Sequence, residues 1–505
     1  MARAVCGRAV AFLLRGAALP IWITPGCVHG VADYLLRATQ RSTIVEIGCG
    51  LGEGLLRSGA QRRIGIDDPG VISLCARRHP RAAEWLELDA ARQQCQSLAR
   101  GDAVVICGLD PAADLRSRFE LLSSFQAQGA LLLTAAPERI GAGSNGSFRE
   151  GWSLEEYASF LRGWGLSPTY TGRALSENGS RPAPAIVTLH DPAIHSARSR
   201  CGQAPRRPLA ILSAYNESDV IAEVVEDWLE QGCDLVLVDN WSNDGTWEII
   251  REFSRRHPNR VEARRFPHAE PSGHFELQRI LRNEEEIAAA HPGRWIIHTD
   301  ADELRRSPFP GTTLAEGLEI ASLTGANRVR FNLINFRPVD DRPFHPGTLR
   351  TGLNYFEFGT RPGHYLQAKA WFQDAERVDL AGSGGHIARF SGARDFPYRF
   401  LLRHYPIRSQ EHGVRKIFKD RQPRWSPYER GELGWHTHYD GFSKASDFIW
   451  PRSALIRFDA AFWENYGLCI MTDLMQRRLQ EQVPAPAGSP RPEPAAQGRQ
   501  QQPAP

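Results

Sequence analysis

Trp295-Ile296-Ile297-His298-Thr299-Asp300-Ala301-Asp302-Glu303 passes from a short apolar run into three carboxylates within four residues. The apolar run suits a strand of a parallel sheet covered on both faces. In open α/β sheets ligands sit beyond the carboxyl ends of the strands, where these acids fall. Carboxylates so close together repel one another unless a cation joins them, and oxygen ligands suit Mg2+ or Mn2+, ions that also bind phosphates. An isolated Asp-x-Asp is more often a solvated turn, so the surrounding sequence has to decide.

The chain has 505 residues, which exceeds one ordinary core and predicts two or three domains. With 61 basic and 58 acidic residues the net charge is +3, so no global field points to nucleic acid as a partner. The nine cysteines show no CxxC pair, which argues against a zinc site or a disulfide framework and for a reducing, cytoplasmic setting. Cys49, Cys107 and Cys233 read as small core residues. The apolar stretch Ala9 to Leu14 is too short to span a bilayer, and no transmembrane segment or signal peptide is expected.

Upstream of the acidic stretch lie two further strands that end in polar residues. Leu209 to Glu217 runs into Tyr215-Asn216-Glu217, and Leu235 to Asn240 ends at Asp239-Asn240 before the turn Ser242-Asn243-Asp244-Gly245-Thr246. Together with Asp300, these make three acid-tipped strands on one sheet edge. At these motifs the chain resembles a GT-A type glycosyltransferase close to family two. The resemblance implies that Glu217 and Asp239, with Tyr215, Asn216, Asn240 and Asp244 beside them, hold the nucleoside of a sugar nucleotide. It also implies that Asp300 and Asp302 hold ribose and metal.

Arg282, on the helix before the acidic strand, can pair with phosphate oxygens. The basic cluster Arg403-His404 to His412 and Lys416 offers Arg403 and Lys416 to the donor, and neutral imidazole can complete a metal shell begun by Asp302. His386, after Gly384-Gly385, is preferred for that role over His404. A transferase of this kind needs a carboxylate to take the acceptor proton, and the candidates are Asp340, Asp341 and Glu357. Trp435-His436-Thr437-His438-Tyr439 lines the acceptor pocket or forms a strand with two histidines on one face.

The first part of the chain opens with Thr43-Ile44-Val45-Glu46-Ile47-Gly48-Cys49-Gly50-Leu51-Gly52, a strand turning through spaced glycines into a helix. A second strand ends at Asp67, about 20 residues on, where a ribose diol would need an acceptor, and a third is followed by Asp89. Strands at Ala103–Cys107 and Ala130–Thr134 alternate with helical stretches, as in a doubly wound sheet, and Ala185–Leu189 is expected as its antiparallel edge. At Glu46 to Gly52 this part resembles the class I S-adenosylmethionine-dependent methyltransferases. The likeness implies that Glu46, Gly48, Gly50, Gly52, Asp67 and Asp89 bind S-adenosyl-L-methionine.

The expected architecture is α/β, with two doubly wound Rossmann-like domains and a helical C-terminal segment. Residues 17–190 form the methyltransferase-like domain, 191–206 a linker and 207–420 the GT-A domain. Residues 421–480 form an extension packed on the GT-A domain, and 481–505 a Pro- and Gln-rich disordered tail. The expected activity is metal-dependent transfer from a nucleotide-sugar donor to a glycan, lipid-linked or small-molecule acceptor, fused to methyl transfer. The alternative leaves the first domain as a non-catalytic scaffold.

Overall fold

The computed structural model describes residues 25–98, 102–108, 115–137, 152–178, 181–202, 206–359, 363–374 and 376–472. The apolar stretch 9–14 and the tail 481–505 lie outside them.

The first sheet is built from β1 (Thr43–Ile47), β2 (Arg62–Asp67), β3 (Glu84–Glu87), β4 (Ala103–Gly108), β5 (Leu131–Pro137), β6 (Tyr170–Asn178) and β7 (Arg181–His190). Its order is β3-β2-β1-β4-β5-β7-β6, with the first five strands parallel. β7 is antiparallel to β5 as expected, yet it is not the edge. β6 pairs outside it, a strand whose polar composition hid it in the sequence. Ile44, Val45, Val104, Val105 and Leu132 are wholly buried, as a sheet covered by helices on both faces requires.

The second sheet comprises β8 (Leu209–Ala214), β9 (Asp234–Asp239), β10 (Val261–Arg265), β11 (Arg294–Asp300), β12 (Glu303–Arg306), β13 (Arg328–Phe336), β14 (Tyr355–Phe358), β15 (Leu366–Gln373), β16 (Phe400–His404) and β17 (Ile456–Arg457). Strands β10, β9, β8 and β11 are parallel neighbours in that order, so the ends of β8, β9 and β11 open on one edge. β15 and β13 continue the sheet antiparallel, and β12 pairs with β16. This sheet is therefore mixed, with a parallel half that carries the acid-tipped strands.

The stretch expected as a linker contains the helix Pro192–Arg200. Asp191 caps it by accepting from the Ala193 N–H at 2.9 Å, and its other oxygen accepts from the Tyr398 hydroxyl at 2.6 Å. Within 446–472 only Phe462–Met471 is α-helical, and it packs on both parts of the molecule rather than on the second alone. Tyr170 of β6 donates to the Trp463 carbonyl at 2.6 Å, while Asn332 of β13 donates to the Ile470 carbonyl at 2.7 Å. One apolar cluster accordingly runs from Leu189 and Ile194 through Ala210 and Leu402 to Met471. No helix among the described residues is long and apolar enough to cross a membrane.

Candidate functional site

In the second sheet, the carboxyl ends of β8, β9 and β11 line one pocket, to which Glu217, Asn240, Asp300 and Asp302 contribute. Backbone geometry there is fixed by hydrogen bonds between the loops after β8 and β9. The Asn216 N–H donates to Ser242 Oγ (3.0 Å), Glu217 N–H to Thr246 Oγ1 (2.9 Å), and Ser218 N–H to Asp244 Oδ2 (3.1 Å). Asp244 thus braces the loop and does not line the pocket. Asp239 is wholly buried behind it, accepting from Ser242 N–H at 3.2 Å and from Arg265 Nε at 3.3 Å. Burial raises the Asp239 carboxyl above its usual range. Both acids shape the site from below.

Each carboxylate of the acidic stretch meets a lysine. Lys369, buried on β15, lies 3.1 Å from Asp300 Oδ2 and 3.2 Å from Glu303 Oε1. Lys416 Nζ stands between Asp302 Oδ2 (2.6 Å) and Glu217 Oε1 (3.0 Å). Burial alone would raise Glu217, but Lys416 and Arg408 outweigh it and hold the carboxyl at about 2. The half-exposed Asp300 and the buried Asp302 are likewise held well below the usual carboxylate range, by Lys369 and Lys416 respectively.

Lys416 comes from a π-helical turn, Lys416–Arg421, which also delivers Asp420 and Arg421 to the pocket. Such turns are rare and concentrate at functional sites. Asp420 accepts from Asn216 Nδ2 at 3.0 Å, and burial raises its carboxyl. Arg424, just beyond, lies 3.8 Å over the Tyr215 ring and donates to Asn240 Oδ1 at 2.9 Å. Tyr215 and Phe275 give the pocket aromatic walls, Arg421 and Arg424 cationic ones. Asp420, Arg421, Arg424 and Phe275 escaped the sequence reading because they fall beyond its expected motifs. The available signal was the i,i+4 spacing of Lys416 and Asp420, which a helix turns to one side.

Other expected residues lie elsewhere. Arg282 is exposed on its helix and does not line the pocket, whereas its neighbours Asn283 and Glu284 are buried. Arg403 is buried among Phe336, Tyr405 and Phe458, an aromatic cage rather than a phosphate site. Asp340 pairs with Arg342 at 2.8 Å in a separate cleft, Asp341 is exposed, and Glu357 is held by Arg337 at 2.7 Å. None of the three lines the pocket, because the sequence could not show that the chain after β13 turns away from it. The residues around His436 form a 3-10 turn, not a strand, and they also stand outside the pocket.

Of the two histidines considered for a metal, His404 stands beside Asp302. Its Nε2 is 3.8 Å from Asp302 Oδ1, and its Nδ1 is 2.8 Å from Asn335 Oδ1. His386 lies against Gly363 and His364, and burial lowers it to about 4. Among the described residues no three acidic, histidine or cysteine side chains converge to hold an ion. Asp300 and Asp302 nevertheless each have one oxygen not bonded to lysine, which suits an ion completed by phosphate and water.

In the first sheet Glu46, Asp67 and the glycine loop gather at the carboxyl ends of β1 and β2. Gly48 and Gly52 adopt φ of +77° and +74°. A Cβ on Gly52 would lie 2.5 Å from Trp85, so that position excludes any side chain. Asp67 Oδ2 accepts from the Gly50 N–H at 2.8 Å, and Glu46 Oε1 lies 3.1 Å from His29 Nε2. Asp89 follows β3 in the first turn of the helix Leu88–Leu98, its side chain exposed. An open loop with carboxylates at two neighbouring strand ends fits a nucleoside ligand with a diol.

Two Rossmann-like sheets, each with acids at the carboxyl ends of its parallel strands, make this an α/β protein of two parts. Residues 210–274 match the family model of glycosyl transferase family 2, and the first part has the strand order β3-β2-β1-β4-β5-β7-β6. Among solved structures, the chain is similar to 1,6-didemethyltoxoflavin-N1-methyltransferase from Burkholderia thailandensis with bound S-adenosylhomocysteine. That match has 13% identity over 33% of this chain and 80% of that one, with a TM-score of 0.23. An O-methyltransferase from Bacillus cereus in complex with S-adenosylhomocysteine matches at 13% identity over 36% and 88%, TM-score 0.24. A mannosyltransferase from Pyrobaculum calidifontis in complex with GDP-mannose and Mn2+ matches at 21% identity over 30% of this chain and 45% of that one, TM-score 0.19. No curated protein matches the chain.

Proposed function

We propose that the second part moves a sugar from a nucleoside-diphosphate donor to a hydroxyl of a glycan, lipid-linked sugar or small metabolite, and that the first part transfers a methyl group from S-adenosyl-L-methionine. The observation that carries the first claim is the convergence of Glu217, Asn240, Asp300 and Asp302 from three strand ends on a pocket walled by Tyr215 and Arg424. Aromatic and amide groups suit a nucleobase, and Arg421 and Arg424 suit phosphates. In the transfer, the bond from the anomeric carbon to phosphate oxygen breaks and its electron pair leaves with the diphosphate. The acceptor oxygen bonds that carbon, and its proton passes to a carboxylate. Asp420 is the pocket acid whose burial suits it to accept that proton. A divalent ion held by Asp300 and Asp302 would supply positive charge to the leaving diphosphate.

For the first part, Glu46, Asp67 and the glycine loop hold and orient the nucleoside, and methyl transfer needs no further group beyond alignment. Bound S-adenosylmethionine would supply the activated methyl group. Thermal unfolding with a panel of sugar nucleotides plus Mn2+ tests the transferase reading, since a bound donor raises the midpoint by mass action. A shift with one donor, lost in Asp302→Ala, is expected; no shift with any of them would remove the reading. S-adenosylmethionine binding that survives Asp67→Ala unchanged would remove the assignment of the first site.

A further inference from the structure

The acids that would hold a divalent ion sit in a network whose charge is already balanced. Glu217, Asp219, Asp300, Asp302, Glu303 and Asp420 are linked through Lys369, Lys416, Arg305, Arg408 and Arg415, six carboxylates against five cations. Arg421 and Arg424, which line the same pocket, add two cations and Glu284 one carboxylate, so seven of each face one another. Hard divalent ions bind where oxygen ligands carry surplus negative charge. Here the surplus is absent until an anion enters.

From this geometry we propose that Lys416 makes divalent-ion binding at Asp302 conditional on the donor, so that the ion and the nucleoside diphosphate enter as one unit. The inference rests on the transferase reading of this pocket. Lys416 Nζ is 2.6 Å from Asp302 Oδ2 and 3.0 Å from Glu217 Oε1, and its side chain is 8% exposed. An ion binding Asp302 alone would pack its two positive charges beside the Lys416 ammonium in a buried space. A diphosphate brings the missing negative charge and also gives the displaced ammonium a new partner in the same pocket. Lys369 holds Asp300 in the same way from β15, so neither acid is spare. The device makes the ion arrive only when there is a leaving group to neutralise. Lys416 is in this sense a positioning residue that acts through Asp302.

Titrating the full-length protein with MnCl2 and following free Mn2+ by electron paramagnetic resonance, with and without UDP or GDP, tests this. The wild type is expected to take up Mn2+ poorly alone and at one equivalent when the matching nucleotide is present. Lys416→Met should bind Mn2+ without nucleotide, roughly tenfold or more tighter than the wild type, and Lys416→Arg should behave as the wild type. Equal Mn2+ affinity in the wild type with and without a nucleotide that binds overturns the proposal. So does nucleotide binding that is unchanged in EDTA, or Lys416→Met with no gain. If Lys416→Met fails to fold by circular dichroism, the wild-type comparison decides alone. If neither UDP nor GDP binds under any condition, the transferase reading fails, while the gain of metal affinity in Lys416→Met still reports on the lysine.

Discussion

A carboxylate accepts a proton more readily when its surroundings disfavour its charge, and among the acids that line the pocket of the second sheet burial raises Asp420. Asp420→Asn keeps an acceptor for Asn216 Nδ2 but cannot take a proton. Turnover should fall by about 10²- to 10⁴-fold with donor binding little changed, and steady-state kinetics separates the two. An unaltered kcat would exclude Asp420 as the base. Glu217 behaves in the opposite way, because Lys416 and Arg408 depress it to about 2 from an ordinary 4.5. A depressed carboxyl contributes stability that is present above its unfolded value and lost as pH falls through its folded one. Acid titration should therefore show the difference between wild type and Glu217→Gln vanish between about pH 4.5 and 2. Constancy of that difference down to pH 2 would contradict the ion pairing.

Loops hold these side chains in place, and their own hydrogen bonds decide how firmly. Thr246, wholly buried, accepts from the Glu217 N–H at 2.9 Å and donates to Asp244 Oδ1 at 2.6 Å. Thr246→Val leaves that N–H unpaired, which should cost about 1–3 kcal/mol in denaturant unfolding and weaken donor binding. A variant as stable as the wild type would show that the two loops are not interdependent. In the first sheet, Gly52→Ala puts a methyl group against Trp85 at a positive φ. Calorimetric binding of S-adenosylmethionine should be lost while sugar-nucleotide binding persists. Such elements were legible where they are regular: the glycine loop, the acid-tipped strands and the turn at Asp244 all stand where their residues put them. The π-helical turn at Lys416 was not, because its extra residue per turn is set by packing rather than by side-chain pattern.

At the scale of the whole molecule, the two sheets share a core. Helix Phe462–Met471 bonds to β6 on one side and β13 on the other, and Asp191 joins Tyr398 across the junction. Thermal unfolding should therefore proceed in a single calorimetric transition. Two resolved transitions would mean that the sheets fold independently. Removing the chain from residue 456 onward should destabilise both parts.

The sequence alone determined the two α/β domains and the acids at the ends of their strands. Apolar runs of strand length and the residues that stop them are local properties. Tertiary structure decided which of those acids share a pocket and what neutralises them. It put Asp239 and Asp244 beneath the pocket, turned Asp340 and Glu357 away from it, and brought Lys369 and Lys416 from distant segments onto Asp300 and Asp302. Buried charge has to be matched wherever the chain can supply a partner, and that partner's distance along the sequence leaves no local mark.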